Sequence, residues 1–331
     1  MVPGEPISED DLIARYFAPL AGEGGLGLRD DAASLAAPAD ADLVMTADAL
    51  VAGVHFFAED PPDAIARKAL RVNLSDLAAK GAQPMGFLLT LALATPWSPA
   101  WLEAFAAGLG EDARAYSCPL LGGDTVRTPG PLLISITALG AVPRGRMVPR
   151  TGARPGDVIA VTGSIGDAAL GLLLRTTPAA PWIAGLGDAE RGHLLDRYRL
   201  PQPRNALAVA LRDHAHAAMD VSDGLVGDLE KMLRVSGVSG GVTLDAVPLS
   251  SAARQAIAAD PGLLEAALTG GDDYEILCSV GPQQIEALTT AAQAVGVPLA
   301  VIGRVVDGTG CAEFTYHGAP LSFAKRSYSH F

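Results

Sequence analysis

Short apolar stretches recur along the chain at strand length, separated by longer segments with helical spacing. Strands are expected over 42–46, 87–94, 132–142, 158–162, 217–220, 274–280 and 299–305. Ser8, with Asp11 three residues on, opens a helix as a variant of the capping box. Further helices are expected from Pro61-Pro62 to about Lys80, from Ser98-Pro99 through about Tyr116, from Asp167 onward, over 225–233 and over 283–294. Two more follow the loop at 178–187, and Leu121-Gly122-Gly123-Asp124 reads as a tight turn. Strands alternate with helices in both halves, which gives the α/β or α+β class. The segment holding Gly145, Pro149, Gly152, Pro155 and Gly156 is the linker candidate, so the expected layout is 1–142, linker 143–156, and 157–331. A chain of 331 residues is long for one core, which agrees with two domains.

Acidic residues change the picture. Asp220-Val221-Ser222-Asp223-Gly224 puts two carboxylates and a hydroxyl into a strand-to-helix turn, where like charges repel unless a cation sits between them. Asp30-Asp31, Asp48, Asp76, Asp124 and Asp272-Asp273 lie in similar polar turns. The chain has only four lysines, Lys68, Lys80, Lys231 and Lys325. Phosphate charge can be neutralised by basic side chains or by Mg²⁺ held on carboxylates, and this composition points to the second.

The net charge of −13 argues against nonspecific binding to nucleic acid or to an anionic membrane. The apolar run 87–94 is far short of the ~20 residues that span a bilayer. Cys118, Cys278 and Cys311 are far apart and form no CxxC, as in a reduced intracellular protein. MVPGEPISEDDL carries no apolar core of a signal peptide, so a cytoplasmic location is expected.

Some motifs fail on context. Gly22–Gly27 matches G-x-G-x-x-G but follows a helix rather than a strand, and no lysine follows a glycine as in a Walker A loop. Gly237–Gly241 matches G-x-S-x-G but also follows a helix, so it reads as a turn. His214 and His216 have no third ligand nearby in sequence and read as surface histidines.

An ordered set of motifs remains: Leu28-Arg29-Asp30-Asp31-Ala32-Ala33; Thr46-Ala47-Asp48-Ala49-Leu50-Val51 with Gly53-Val54-His55-Phe56; ALRVNLSDLAAKG over 69–81; Gly122-Gly123-Asp124-Thr125; Arg150-Thr151-Gly152-Ala153 with Pro155-Gly156-Asp157; the 220–224 turn; and Gly270-Gly271-Asp272-Asp273-Tyr274-Glu275. This set resembles the thiamine-monophosphate kinase family, within the superfamily of aminoimidazole ribonucleotide synthetase, from about Leu12 to Phe331.

The resemblance implies a two-domain PurM-like fold: an N-terminal α/β domain that dimerises and a C-terminal α+β domain, with the site in a cleft between them. It implies ATP-dependent phosphorylation of thiamine monophosphate to thiamine diphosphate, with several Mg²⁺ ions and direct transfer. It makes Asp31, Asp48, Asp76, Asp124, Asp220 and Asp223 metal ligands, with Thr46 and Ala47 adding oxygens. Gly123, Asp124, Arg150 and Ser222 become ATP contacts, and His55, Asp272 and Phe323 substrate contacts.

Three positions depart from the family pattern: Arg29 stands for glycine, Ala47 for threonine, and Phe323 near a tryptophan. A catalytically silent binding protein and a sister ATP-using enzyme are the alternatives. A selenophosphate synthetase would need a cysteine earlier than Cys118, and a hydrogenase-maturation relative a cysteine in place of the Ser-Tyr-Ser-His-Phe ending.

Overall fold

The computed structural model describes residues 8–36 and 38–328. Most of the N-terminal stretch read as lacking a signal peptide, and the last three residues of the Ser-Tyr-Ser-His-Phe ending, lie outside the described residues. The chain forms two compact units. One contains the chain up to Leu77 together with Gln83–Gly145; the other contains Ala78–Ala82 and the chain from Arg146 onward.

In the first unit, Ser8 caps α1 (Glu9–Leu12) by accepting from the Asp11 amide at 3.1 Å, as the capping pattern predicts. Then come β1 (Ala41–Val51), α2 (Pro62–Ala79), β2 (Gln83–Ala94), α3 (Pro99–Ala115), β3 (Leu120–Thr128) and β4 (Leu133–Pro143). Ser98 caps α3, with Pro99 in its first turn, where a missing N–H costs nothing. The four strands form a sheet in the order β1-β4-β2-β3, antiparallel except for β2 with β3.

Two expectations change here. β1 continues past Asp48 to Val51, so Asp48 is a mid-strand residue. The turn expected at 121–124 is part of β3. Gly123 explains this, because a Cβ there would lie 1.8 Å from the Leu89 carbonyl oxygen. Glycine lets β3 approach β2, a common use of glycine inside a strand.

The sheet has one covered and one open face. Phe87, Leu89, Leu91 and Leu93 of β2 point to the core, with Ile134, Ile136 and Ala138 of β4. The register places Ala47, Thr137, Leu88 and Gly122 side by side on the opposite face, and in the next row Ala49, Ser135, Thr90 and Asp124. That face exposes large apolar side chains: Leu43, Met45, Leu88 and Val126 are 45%, 68%, 39% and 45% exposed.

The second unit contains β5 (Val158–Thr162), α4 (Asp167–Thr176), α5 (Asp188–Arg199), α6 (Ala208–His214), β6 (Ala215–Asp220), α7 (Leu225–Ser236), β7 (Ser239–Thr243), α8 (Ser251–Ala259), α9 (Leu263–Thr269), β8 (Ile276–Val280), α10 (Ile285–Ala294), β9 (Leu299–Val306), β10 (Ala312–Tyr316) and β11 (Ala319–Leu321). Its sheet runs β11-β10-β7-β9-β5-β8-β6. β5 and β8 are buried along their whole length, as expected of strands covered on both faces. The 239–241 stretch, read as a turn, belongs to β7, which pairs with both β9 and β10. Ala78 and Ala79 belong to this unit, packing with Val148, Leu211, Ala218 and Cys278.

Candidate active site

In the first unit the acidic residues form two groups, separated by the alternation of strand side chains. Thr46 and Asp48 lie on the covered face of β1, against α2. Thr46 Oγ1 donates to Asp76 Oδ2 at 2.5 Å, and the Asp48 amide donates to Asn73 Oδ1 at 3.2 Å. Asn73 is fully buried and is itself held by the Ala69 carbonyl at 3.0 Å. Asn73 was not singled out from the sequence, although it lies within the quoted 69–81 motif.

Asp124 lies on the open face, in register with Thr90. It lines a cavity of about 680 Å³ together with Asp30, Asp31, Gly122, Gly123, Thr125 and the open-face residues Leu88 and Thr137. Asp31 and Asp124 therefore share one cavity, while Thr46 and Asp76 share a hydrogen bond. Ala47 is on the open face in the row of Thr137, so only its main-chain atoms can take part beside Asp48. His55 sits in the turn after β1, where its Nδ1 accepts from the Val51 amide at 3.0 Å and its carbonyl accepts from the buried Lys68 ammonium at 2.9 Å.

In the second unit, two of the quoted motifs meet. The 220–224 turn joins β6 to α7, and the 270–275 loop joins α9 to β8. The Val221 amide donates to the Glu275 carbonyl, the Tyr274 amide to Val221, and the Asp272 amide to Ser222, each at 2.8 Å. The loop has two non-glycine residues in the left-handed region, Asp272 at φ 65° and Tyr274 at φ 51°. Such conformations persist where surrounding contacts over-determine them. Gly224, at φ 108°, starts α7 with no room for a Cβ, which would lie 2.6 Å from Thr269.

Glu275 anchors the loop. It is fully buried and accepts from Arg197 Nη2 at 2.8 Å, Arg204 Nε at 2.6 Å, Arg204 Nη2, and Thr162 Oγ1 at 2.7 Å. Asp273 is also buried: its Oδ1 accepts from the Gly166 amide at 2.8 Å, and its Oδ2 has no hydrogen-bond partner. Burial, reinforced by nearby Asp167 and Glu275, pushes the Asp273 carboxyl well above the usual carboxylate range, against the pull of the Gly166 amide and Arg197.

The remaining expected residues are spread over this unit. Asp220 is buried at the end of β6 and Asp223 is partly exposed. Arg150 is exposed and makes no ion pair among the described residues. Phe323 is only 8% exposed and packs edge-on to Phe314, ring centroids 5.2 Å apart, within the core. The aromatic beside the 220–224 turn is instead Tyr328, whose amide donates to the Asp223 carbonyl at 2.9 Å. The sequence reading also missed Asp228 and Lys231 of α7, which hold that turn. The signal for them was present: one of four lysines, three residues after an aspartate in the helix's first turn.

Among the described residues, no three His, Cys, Asp or Glu side chains converge as a metal cage. The donors nonetheless suit Mg²⁺, being hard oxygens arranged in pairs. That ion takes one or two carboxylates and completes its octahedron with waters and substrate phosphates, rather than using an all-protein cage.

Residues 29–142 match the family model described as AIR synthase related protein, N-terminal domain, and residues 154–314 match its C-terminal domain. The thiamine-monophosphate kinase of Caulobacter vibrioides is 45% identical over 98% of this chain and 91% of the relative. That of Escherichia coli K12 is 39% identical over 98% of both. Among solved structures, thiamine-monophosphate kinase from Stenotrophomonas maltophilia K279a superposes with a TM-score of 0.80 at 41% identity, covering 89% of this chain and 91% of that one. The structure of AaThiL complexed with AMPPCP and TMP gives a TM-score of 0.77 at 29% identity, covering 91% of both. The hydrogenase maturation protein HypE in complex with ATP, 22% identical, shares the fold. The fold is thus the mixed α/β, PurM-like one that the motifs imply.

Proposed function

We propose a kinase function on the premise that this chain belongs to the thiamine-monophosphate kinase family, whose members it matches over nearly its whole length. The reaction is ATP-dependent phosphorylation of thiamine monophosphate. A phosphate oxygen of the acceptor attacks the γ-phosphorus of ATP, the bond to the β–γ bridging oxygen breaks, and ADP leaves. The observation that carries this reading is the relative of the same fold solved with AMPPCP and TMP together.

Two ionised phosphates must approach each other, so catalysis is positioning and charge neutralisation rather than covalent chemistry. Bound Mg²⁺ would supply that neutralisation. Asp31 and Asp124 would hold it in the 680 Å³ cavity, and Asp48, Asp76 and the Thr46 hydroxyl on the covered face of β1, with the Ala47 main-chain carbonyl between Thr46 and Asp48 along the strand. Asp220 and Asp223 would hold it in the second unit. Gly123 offers a backbone with no side chain to phosphate, Ser222 a hydroxyl, and Arg150 a guanidinium without an ion pair among the described residues. His55 and Asp272 are the proposed acceptor contacts. For the cationic thiamine ring, Tyr328 takes the aromatic role first assigned to Phe323, because Phe323 is core and Tyr328 is 39% exposed beside Asp223.

The open apolar face of the first sheet supports a homodimer, since a monomer rarely exposes a contiguous patch of this kind. Three free thiols fit a cytoplasmic setting. No helix among the described residues is long and apolar enough to cross a membrane.

The test is direct. Purified protein with Mg-ATP and thiamine monophosphate should form thiamine diphosphate and ADP, separated by chromatography. Asp124→Asn should cut turnover by about 10²-fold or more, the cost of losing one fixed charge-stabilising group, with the melting temperature unchanged. No thiamine diphosphate from folded protein would end the kinase reading.

A further inference from the structure

Two amides of the 220–224 turn converge on one oxygen. Ser222 and Asp223 both donate their backbone N–H to Asp228 Oδ2, each at 2.9 Å. The Asp228 side chain is fully buried in the first turn of α7. Its second oxygen, Oδ1, accepts from Lys231 Nζ at 2.9 Å, and the same ammonium donates to Asp223 Oδ2 at 2.5 Å. Asp228 and Lys231 are three apart and share a helix face, so Lys231 is aimed at the turn by helix geometry.

The two carboxylates on Lys231 differ in status. Asp228 is fully buried, and leaving a buried carboxylate without its cation is strongly destabilising. Asp223 is 37% exposed at its side chain, so its ion pair is screened by solvent and weakly held. The Lys231 ammonium lies between these two carboxylates, 2.5 Å from Asp223 Oδ2 and 2.9 Å from Asp228 Oδ1. The turn therefore carries a fixed positive charge against the carboxylate expected to meet a metal ion.

We propose that Lys231 is a positioning residue for Asp223, holding its carboxylate through an ion pair that a divalent cation displaces while Asp228 retains the ammonium. The proposal deepens the kinase reading and rests on Asp223 as a metal ligand. A doubly charged hard ion outcompetes an ammonium for carboxylate oxygen, but the retained Lys231 charge lowers the ion's affinity. Such a site holds its ion weakly until nucleotide phosphates add their own oxygens. Lys231 also keeps Asp223 and Asp228 from repelling each other before the ion arrives.

The test uses Mn²⁺ alone, without nucleotide, titrated into the intact protein and followed by electron paramagnetic resonance. Lys231→Gln should bind Mn²⁺ about fivefold more tightly, the equivalent of the ~1 kcal/mol that a half-exposed ion pair contributes at most. Lys231→Arg, which keeps the charge, should stay near the parent. Asp223→Asn should lose one Mn²⁺ site. Unchanged or weaker Mn²⁺ binding in Lys231→Gln overturns the proposal, as does identical behaviour of the Gln and Arg variants. A full set of Mn²⁺ sites in Asp223→Asn removes the metal assignment and the proposal with it. Thiamine diphosphate formation by the parent is scored separately, so failure of the kinase reading is told apart from failure of these titrations. Lys231→Arg and Asp223→Asn should melt near the parent, because the charge on Asp228 is kept and the Asp223 side chain is 37% exposed, whereas Lys231→Gln leaves the buried Asp228 without its cation and should melt lower, so its Mn²⁺ titration is run well below that melting temperature.

Discussion

Glu275 offers the sharpest check on how the 270–275 loop is held. Its carboxylate takes four hydrogen bonds, three from Arg197 and Arg204 and one from Thr162, with its side chain fully buried. Glu275→Gln keeps the shape but removes the charge. The amide offers one acceptor oxygen, and its NH₂ group faces donors on the other side, so about two charge-assisted bonds are lost at roughly 1.5–3 kcal/mol each. The arginine side chains, 13% and 18% exposed, keep some water and soften the loss. Breaking a buried pair typically costs ~3–5 kcal/mol, and the two routes agree on that range. A unit of this size shifts by ~2–4 °C per kcal/mol, which gives a fall of about 6–20 °C. Thermal unfolding followed by circular dichroism at neutral pH reads this directly. A fall smaller than about 2 °C would refute the reasoning, because the loop would then be held by its backbone hydrogen bonds alone.

Phe323→Ala should cost ~3–5 kcal/mol of stability, as for a core aromatic; if only the KM for thiamine monophosphate moves, the ring is a substrate platform after all. Burial keeps Asp273 protonated in the folded chain above its ordinary value of 3.8, whereas the unfolded chain releases that proton. Its contribution is thus full below pH 3.8 and is lost as pH rises toward the raised folded value. Asp273→Asn removes this decline, so its melting temperature relative to the parent should climb as pH rises above 3.8; a constant difference contradicts the assignment. Met45→Glu puts a charge on the open sheet face at a side chain 68% exposed, and light scattering should show a dimeric parent and a monomeric variant; a variant that stays dimeric moves the interface elsewhere.

The sequence was most legible where a pattern is local. Ser8 and Ser98 cap helices because a hydroxyl before a helix satisfies a free amide wherever the helix goes. The strands at 87–94 and 158–162 were visible because each is apolar but for a single threonine, Thr90 and Thr162. Legibility failed at glycines. Gly122-Gly123 and Gly240-Gly241 read as turns, yet both pairs lie in strands, where the missing Cβ serves a neighbour's close approach at Gly123 and Gly240. Nothing in the local spacing separates those two uses.

The acidic chemistry divides in the same way. Sequence alone determined that this chain carries many aspartates, few lysines and an ordered set of motifs, because those are properties of composition and order; it did not determine that the donors sit in turns, since Asp48 and Asp124 lie in strands and Asp76 in α2. It could not say which acids are exposed. Tertiary structure decided that Asp31 and Asp124 share a cavity, that Thr46 binds Asp76, and that Asp273 and Glu275 are buried anchors beside the partly exposed Asp272. It also moved Phe323 into the core and placed Lys231 on Asp223. The physical reason is that a carboxylate's role depends on its solvation and on which donors lie within about 3 Å. Both are set by segments tens to hundreds of residues away, which only the folded chain brings together.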